Sequence, residues 1–160
     1  MMDLRELYQD IILDHGRHPR NLRVIPGASH HAHGHNPLCG DQVTVFLLVE
    51  DGIIADLSFE GRGCAICTAS SSLMTEVLKG KTLAEAESLF KTFHAKVTGG
   101  EAPPLALSLE DDAERLEPLS GVKAYPVRVK CATLAWRTFE AALAAGKGAG
   151  EAESQPVKTE

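Results

Sequence analysis

The stretch that organises this chain is Gly61-Arg62-Gly63-Cys64-Ala65-Ile66-Cys67-Thr68-Ala69-Ser70-Ser71-Ser72. Before it, apolar residues alternate with period two, and after it Ile66, Leu73 and Val77 recur with helical spacing. Cys64 is therefore predicted where a strand turns into a helix, with glycines that permit a tight turn. A thiol at a helix N-terminus faces unpaired N–H groups, which favour the thiolate that binds metals and attacks sulfur.

Two apolar rows before this stretch predict a β-hairpin. The rows are Val43, Val45, Leu47 and Val49 on one strand and Ile53, Ala55, Leu57 and Phe59 on the next. A two-residue turn at Asp51-Gly52 would set Val49 opposite Ile54 and place the two rows on opposite faces of the sheet. A three-residue loop, Glu50-Asp51-Gly52, restores the match, so we predict the longer loop.

Helices are predicted on both sides of the hairpin. They run from about Asp3 to Asp14, from Cys64 to Lys79, from a capping box at Thr82-Leu83-Ala84-Glu85, from a cap within Ser108 to Asp111 to near Pro118, and from Tyr125-Pro126 onward. Caps, breakers and apolar residues three and four apart carry these assignments. Residues 146–160 lack apolar periodicity and predict a disordered tail after one domain, residues 1–145.

Composition and charge narrow the class of protein. With 16 Lys and Arg against 22 Asp and Glu, the formal net charge of the 160 residues is −6, which argues against nucleic acid as the main partner. No apolar run predicts a membrane span, and no N-terminal segment resembles a signal peptide. Four cysteines without an export signal favour the reducing cytoplasm, and thiols or metal rather than disulfides.

A histidine run, His30-His31-Ala32-His33-Gly34-His35, precedes the hairpin. On a strand, His31, His33 and His35 would share one face and could bind a metal. The alternative is a short polar edge strand with its histidines in water. We prefer this alternative because the sequence reveals no residue that would orient the rings. Adventitious metal binding is compatible with both.

Three cysteines occupy related local settings. Cys39 lies in a Pro/Gly loop before a strand, Cys64 at a strand-to-helix turn, and Cys131 in the first turns of the last helix. Asp41 follows Cys39 by two residues. Three thiolates and one carboxylate would suit a tetrahedral ion such as Zn²⁺, although spacing alone does not establish that ligands so far apart converge.

Cys67 opens further alternatives. Cys64-x-x-Cys67 at a helix start is also the thiol–disulfide exchange motif, but the βαβ surroundings that would support a thioredoxin-like protein are missing. Cys67 could also replace Asp41 as the fourth ligand. We prefer a third interpretation, in which Cys67 is a small packing residue on the helix.

Several motifs, in order, resemble one known family. They are Asn36-Pro37-Leu38-Cys39-Gly40-Asp41, Gly63-Cys64 with Ala69-Ser70-Ser71-Ser72, Lys79-Gly80-Lys81, and Val129-Lys130-Cys131-Ala132-Thr133-Leu134. Together they resemble the iron–sulfur cluster assembly family of IscU, SufU and the NifU N-terminal domain, from the first helix to about Ala145. The resemblance implies an α+β fold, with a small three-stranded antiparallel sheet and helices packed on one side.

Within that family the chain is most similar to the SufU branch. The segment from Gly99 to Tyr125 is longer than in the scaffold branch, and Lys130 stands before Cys131 where scaffold members typically carry histidine. The resemblance implies Zn²⁺ at one exposed end of the domain, with Fe²⁺ or a transient [2Fe–2S] cluster as the alternatives. The implied metal ligands are Cys39, Asp41, Cys64 and Cys131.

The SufU resemblance also implies a role and partners. Cys39 would accept persulfide sulfur from a PLP-dependent, SufS-like cysteine desulfurase, and downstream iron–sulfur assembly proteins would follow. Such a chain is a persulfide acceptor rather than a stand-alone enzyme. The alternatives are a direct cluster scaffold, a purely structural zinc module and, more remotely, a dithiol redox protein. Arg128 could pair with Asp41 or, with Lys130, support a partner, and a solvated Arg128 is the simpler interpretation.

Overall fold

The structure is a computed structural model that describes residues 4–145 and 157–158. Its helices are α1 (Leu4–Arg17), α2 (Ala65–Leu78), α3 (Leu83–Thr98), α4 (Glu110–Arg115) and α5 (Pro126–Ala145). Its strands are β1 (His30–Asn36), β2 (Asp41–Glu50), β3 (Ile53–Arg62) and β4 (Val157–Lys158), and 3₁₀ segments at Leu107–Leu109 and Glu117–Ala124 flank α4. Among the described helices, none combines the length and the apolar character that a membrane span requires.

The strands form one sheet in the order β3-β2-β1-β4. β1, β2 and β3 are antiparallel neighbours, which confirms the predicted three-stranded sheet. β4 adds two residues in parallel to β1, with Val157 beside Gly34 and Lys158 beside His35. The predicted disorder of residues 146–160 therefore does not hold for these two residues, and the rest of that segment lies outside the described residues.

The hairpin between β2 and β3 differs from its prediction. Glu50 pairs with Ile53, so Asp51 and Gly52 alone form the turn, with φ of 53° and 75°. Positive φ at both positions is typical of a two-residue type I′ turn, and the predicted three-residue loop is wrong. The register shifts between Leu48 and Val49, which leaves Ala55 as an extra, bulged residue.

This bulge resolves the conflict between the two apolar rows. Beyond the turn, Ile54 is buried and Ile53 is exposed, and past the bulge Leu57 returns to the core opposite Leu47. One inserted residue switches the face on which alternate side chains lie. The sheet thereby accommodates the short turn and buries Ile54, Leu57 and Phe59, whereas Ile53 and Ala55 of the predicted row are exposed.

Helix α5 lies against β1 and β2 and anchors the helical layer. At Gly34 of β1 a Cβ atom would overlap the Thr138 hydroxyl, so glycine is what allows the helix to approach the strand this closely. On its other side Trp136 is fully buried and stacks on Phe93 of α3, with ring centroids 4.4 Å apart. The Trp136 indole N–H donates to Ser70 Oγ of α2 at 3.2 Å. One aromatic residue thus connects three helices.

The helix predictions have mixed outcomes. The capping box of α3 is confirmed, since Thr82 Oγ1 accepts from the Glu85 N–H and the Glu85 carboxylate accepts from the Thr82 N–H. The cap expected within Ser108 to Asp111 is wrong, because α4 follows Leu109 without a side-chain cap and ends at Arg115. Helix packing, rather than a local cap, positions this short acidic helix.

Candidate metal centre

The loop between β1 and β2 presents Cys39. The carbonyl oxygen of Asn36 accepts from the N–H groups of Cys39 at 3.3 Å and Gly40 at 2.8 Å, and its side-chain Oδ1 accepts from the Leu38 N–H at 3.2 Å. Gly40 closes the turn at a φ of 73°, which glycine adopts without strain. These bonds leave Cys39 exposed at the tip of a short, ordered turn.

Asp41 is the first residue of β2 and connects this loop to the start of α2. Its side chain is 1% exposed, and Oδ1 accepts from the Cys64 N–H at 2.9 Å. Gly63 makes that contact possible, because a Cβ there would lie 2.8 Å from the same carboxylate oxygen. The carboxylate therefore fixes the strand-to-helix turn that carries Cys64.

Cys64 is the N-cap residue of α2, as the sequence predicts. Its Sγ accepts from the Cys67 N–H at 3.4 Å and lies 3.8 Å from Asp41 Oδ2. Unpaired N–H groups at a helix start stabilise negative charge on a sulfur in this position. The Cys64 side chain is exposed, so it remains accessible from solvent.

Cys131 enters the centre from α5 and is 3% exposed. Its thiol donates to Cys39 Sγ at 3.6 Å, and Asn36 Nδ2 donates to Cys131 Sγ at 3.8 Å. Burial, together with the neighbouring Asp41 carboxyl and Cys39 thiol, raises the pKa of Cys131. Without a cation this thiol holds its proton, and a bound cation would displace that proton.

The geometry suits a tetrahedral ion. Ligand atoms of Cys39, Asp41 and Cys131 all lie within 4.8 Å of one another, and Cys64 Sγ contacts the same carboxylate. A Zn–S bond of about 2.3 Å implies ligand separations of roughly 3.5–3.8 Å along the edges of a tetrahedron. The Cys39–Cys131 separation of 3.6 Å and the Cys64–Asp41 separation of 3.8 Å match those edges. Cys39, Asp41 and Cys131, which span 92 positions of the chain, therefore converge, and Cys64 adjoins them through the Asp41 carboxylate without joining the three-residue group.

Comparison with known proteins identifies the family of this chain. The model of the NifU-like N-terminal domain matches residues 7–132. The chain belongs to this family. It is 38% identical over 146 residues to the zinc-dependent sulfurtransferase SufU of Bacillus subtilis, covering 91% of this chain and 95% of that one. It is 37% identical over 142 residues to the iron–sulfur cluster assembly scaffold protein IscU of Thermotoga maritima, covering 89% and 96%.

The fold of this NifU-like domain is also shared with solved structures. The SufU protein of Fervidobacterium islandicum has a TM-score of 0.77 at 35% identity, covering 88% of this chain and 99% of the other. A NifU-like N-terminal domain from Brucella abortus has a TM-score of 0.75 at 23% identity and shares the fold. The resemblance drawn from the motifs is confirmed, and it places the chain in an iron–sulfur cluster assembly family.

Cys67 sits beside the centre of the NifU-like domain but faces its core. The side chain is 3% exposed and belongs to the cluster of buried hydrophobic residues. Burial, with added repulsion from Asp41 and Cys64, raises the pKa of the Cys67 thiol. A thiol that keeps its proton is a poor nucleophile and a poor ligand, which supports the packing interpretation.

The two basic residues expected to support the centre lie at the start of α5. The Arg128 guanidinium lies over the Tyr125 ring, 5.6 Å from its centroid, and the Arg128 side chain is exposed. Among the ion pairs of the described residues, none joins Arg128 to Asp41. Lys130 is half-buried one residue before Cys131. Within the described part of the chain, neither side chain donates a hydrogen bond to a cysteine sulfur.

Asn36 and Gly63 support the centre through contacts that their motifs do not predict. Asn36 is fully buried and contacts both the Cys39 loop and Cys131, and Gly63 provides the space for the Asp41 carboxylate. The Asn36-Pro37 dipeptide is a sequence signal for a side-chain-capped turn. No local signal indicates that the same amide also reaches a thiol on α5.

Proposed function

We propose that this chain accepts sulfur, as a persulfide on Cys39, from a PLP-dependent cysteine desulfurase of the SufS type and supplies it to iron–sulfur cluster assembly. One observation carries the proposal. The exposed thiol of Cys39, on the loop between β1 and β2, lies against the buried thiol of Cys131 and the buried carboxylate of Asp41. The similarity to a zinc-dependent sulfurtransferase supports it. Downstream assembly proteins are the expected recipients of the sulfur.

The donor set supports Zn²⁺ as the resident metal, held by Cys39, Asp41, Cys64 and Cys131. Sulfur donors with one carboxylate oxygen suit zinc, and Fe²⁺ is the alternative ion. Bound zinc would keep the ligand sulfurs as thiolates at neutral pH. The fixed turn at Cys64 and the buried position of Cys131 would hold two of the ligands in place while Cys39 reacts.

Cys39 is the thiol best able to reach a partner. Cys131 is buried on a helix packed into the core, and the backbone of Cys64 is held by Asp41. Cys39 instead lies in a turn whose neighbour Leu38 is 61% exposed. Surface loops reorient with less loss of packing than core helices. The exposed leucine beside the thiol also provides apolar area for a desulfurase.

The transfer step is a thiol–persulfide exchange. The Cys39 thiolate attacks the outer sulfur of the desulfurase persulfide, and a new S–S bond forms on Cys39. The S–S bond to the desulfurase cysteine breaks, and that cysteine leaves as a thiolate. The transferred sulfur keeps its proton and its oxidation level, so the step needs no external oxidant or reductant.

The test is to incubate the protein with a desulfurase and cysteine, alkylate the thiols, and locate the added sulfur by mass spectrometry. We expect one additional sulfur on Cys39, absent from Cys39→Ser. Cys67→Ala is the matched control, because it removes a buried thiol and should leave metal content and sulfur acceptance near wild type. A persulfide on Cys64 or Cys131 and absent from Cys39 would overturn the assignment.

A direct cluster scaffold is the second candidate function. Its support is the 37% identity to an iron–sulfur cluster assembly scaffold protein, close to the value for SufU. Metal and acid-labile sulfide analysis of protein purified without oxygen separates the two. Zinc without sulfide supports the sulfur acceptor, and iron with matching sulfide supports the scaffold. Zinc together with no sulfur transfer from any desulfurase would leave a structural zinc module.

A further inference from the structure

Strand β1 carries a row of histidines on the sheet face away from the helices. Along the strand Ala32, Gly34 and Asn36 are buried, and the alternating residues His31, His33 and His35 are half-exposed. These three histidines are called the histidine row below. Residues two apart on a strand point to the same face, so the imidazoles lie side by side.

His33, in the middle of the row, is already oriented. Its Nδ1 lies 2.9 Å from the Oγ1 of Thr44, the residue directly opposite on β2. Imidazoles that bind metals typically engage one ring nitrogen with a hydrogen-bonding partner, which fixes the ring and leaves the other nitrogen as the ligand. With Nδ1 engaged, Nε2 of His33 is the nitrogen left to bind a metal.

The flanking histidines complete two overlapping pairs. His31 lies beside the Phe46 ring, with centroids 6.1 Å apart, and His35 is opposite Gln42. Strand geometry separates residues two apart by about 6.6 Å, and two imidazoles can span that distance to one ion with metal–nitrogen bonds of about 2.0–2.1 Å. His33 can therefore share an ion with either neighbour.

We propose that the histidine row is a second metal site, which binds Zn²⁺ or another divalent transition metal through His33 and one adjacent histidine. Among the described residues the row is not a closed three-ligand cluster, so water completes the coordination. Two imidazole ligands with open positions suit borderline metals and make the ion exchangeable.

The row is distinct from the cysteine centre. Asn36 and Asp41 pair across β1 and β2 and are buried toward the helices, and the row lies on the opposite face of the same strand. β1 nevertheless leads directly into the Cys39 loop, so both sites share one element. The proposal does not depend on sulfur transfer, and it remains testable if Cys39 accepts no sulfur.

The experiment uses the untagged full chain with its first metal already bound. Zn²⁺ is titrated at neutral pH by calorimetry, with equilibrium dialysis and metal analysis as the second measurement. We expect wild type to bind one further equivalent and His33→Gln to weaken that step by at least about tenfold. His30→Gln is the matched control, since His30 begins the same strand on the other side of its alternation and should leave the second step unchanged.

Thr44→Val tests the orientation of His33 without removing a ligand. Valine keeps the β-branched shape that suits a strand, and loss of the hydroxyl should weaken the second step by about tenfold. Circular dichroism checks that each variant is folded, and if His33→Gln does not fold, Thr44→Val decides. Equal uptake by wild type, His33→Gln and Thr44→Val, or an equal loss in His30→Gln, would show adventitious binding only and overturn the proposal.

Discussion

Asn36 shows how the proposed centre depends on a residue that is not a ligand. Its carbonyl and side-chain oxygens hold the Cys39 loop, and its side-chain N–H₂ donates to Cys131 Sγ. The residue is fully buried, so each of these polar groups needs its partner. One amide therefore couples the loop that carries the exposed thiol to the helix that carries the buried one.

Replacing Asn36 by alanine should weaken metal binding and folding together. Outer partners of metal ligands typically contribute about 10-fold to 100-fold in affinity, and a buried group left unpaired costs about 1–3 kcal/mol. Chelator competition and urea unfolding measure the two effects. Gln42→Ala, at an exposed neighbour of Asp41, is the control. Unchanged metal affinity in Asn36→Ala would contradict this role.

The β2–β3 hairpin shows which features of an element local sequence patterns predict and which they do not. The alternation of apolar residues correctly predicts both strands, and Asp51-Gly52 correctly marks a turn. The face conflict suggested a longer loop, and the structure instead keeps the short turn and inserts Ala55. A bulge has no strong local sequence signal, because it is selected by burial of the whole strand. Periodicity therefore predicts the two strands but not the register in which β2 and β3 pair.

The turn gives a test of backbone conformation alone. An added Cβ at Gly52 would meet nothing within 4 Å, but the φ of 75° is strained for any residue with a Cβ. Gly52→Ala should therefore lower the free energy of unfolding by about 1–2 kcal/mol in urea titrations. Gly121→Ala is matched in available space and lacks the positive φ, so a similar loss there would point to a general glycine effect.

Helix α1 docks on α2 through a buried histidine rather than through its apolar residues alone. His15 is 6% exposed, whereas Leu7 of the same helix is 45% exposed. Ser72 Oγ accepts from the Arg20 N–H at 2.8 Å and is hydrogen-bonded to His15 Nδ1 at 2.7 Å. His15 Nε2 lies 3.6 Å from Oε1 of Glu76, which also pairs with Arg115 on α4.

This environment predicts that stability falls on mild acidification. Burial, with a smaller contribution from Arg20, lowers the pKa of His15 below its usual value of 6.5, and Glu76 and Asp14 only partly oppose this. The unfolded chain then binds the proton more readily than the folded chain does. The contribution of neutral His15 to the free energy of unfolding is therefore complete above about pH 6.5 and is lost as the pH falls toward the folded-state pKa. Asp56, with a pKa lowered to about 2, titrates far below this window.

Urea unfolding at about pH 7.5 and about pH 5.5 measures the effect. The difference between the two pH values should shrink in His15→Gln and persist in His18→Gln, whose side chain is exposed. Any loss of metal at acid pH should affect both variants equally, so it does not contribute to the difference between His15→Gln and His18→Gln. An unchanged difference in His15→Gln would exclude this histidine as the cause.

For the whole molecule, the order of motifs predicted most of the architecture, and three of the four proposed ligands, Cys39, Asp41 and Cys131, lie together in the structure. The Cys64 turn, the capping box of α3 and the start of α5 have local signals, and the structure places each as expected. The convergence of Cys131 with Cys39 came from family resemblance, since no local pattern links residues 92 positions apart. The parallel contact of β4 and the burial of His15 depend on tertiary packing, which periodicity does not encode.

Removing the metal should destabilise the entire domain. The proposed ligands come from β2, from α5, from the Cys39 loop and from the turn before α2. A bound ion would link these four elements. Without the ion, the fold would bring thiols and a carboxylate together with no cation between them. Structural zinc sites supply about 10–16 kcal/mol of apparent binding energy in small peptides, and part of this should appear here. Chelation should clearly lower the melting temperature, and added Zn²⁺ should restore it. A melting curve unchanged after verified metal removal contradicts this prediction.

The spread of the proposed ligands along the chain has a consequence for biosynthesis. Cys39, Asp41 and Cys64 are translated early, and Cys131 lies on the last long helix. Domains fold as units as the ribosome releases them, so the fourth ligand arrives only when α5 has emerged. Until then the nascent chain holds three of its four thiols, and the proposed ligands Cys39, Asp41 and Cys64 lack Cys131. Metal capture at the proposed centre would therefore come at the end of translation, and a chain truncated before α5 would lack Cys131.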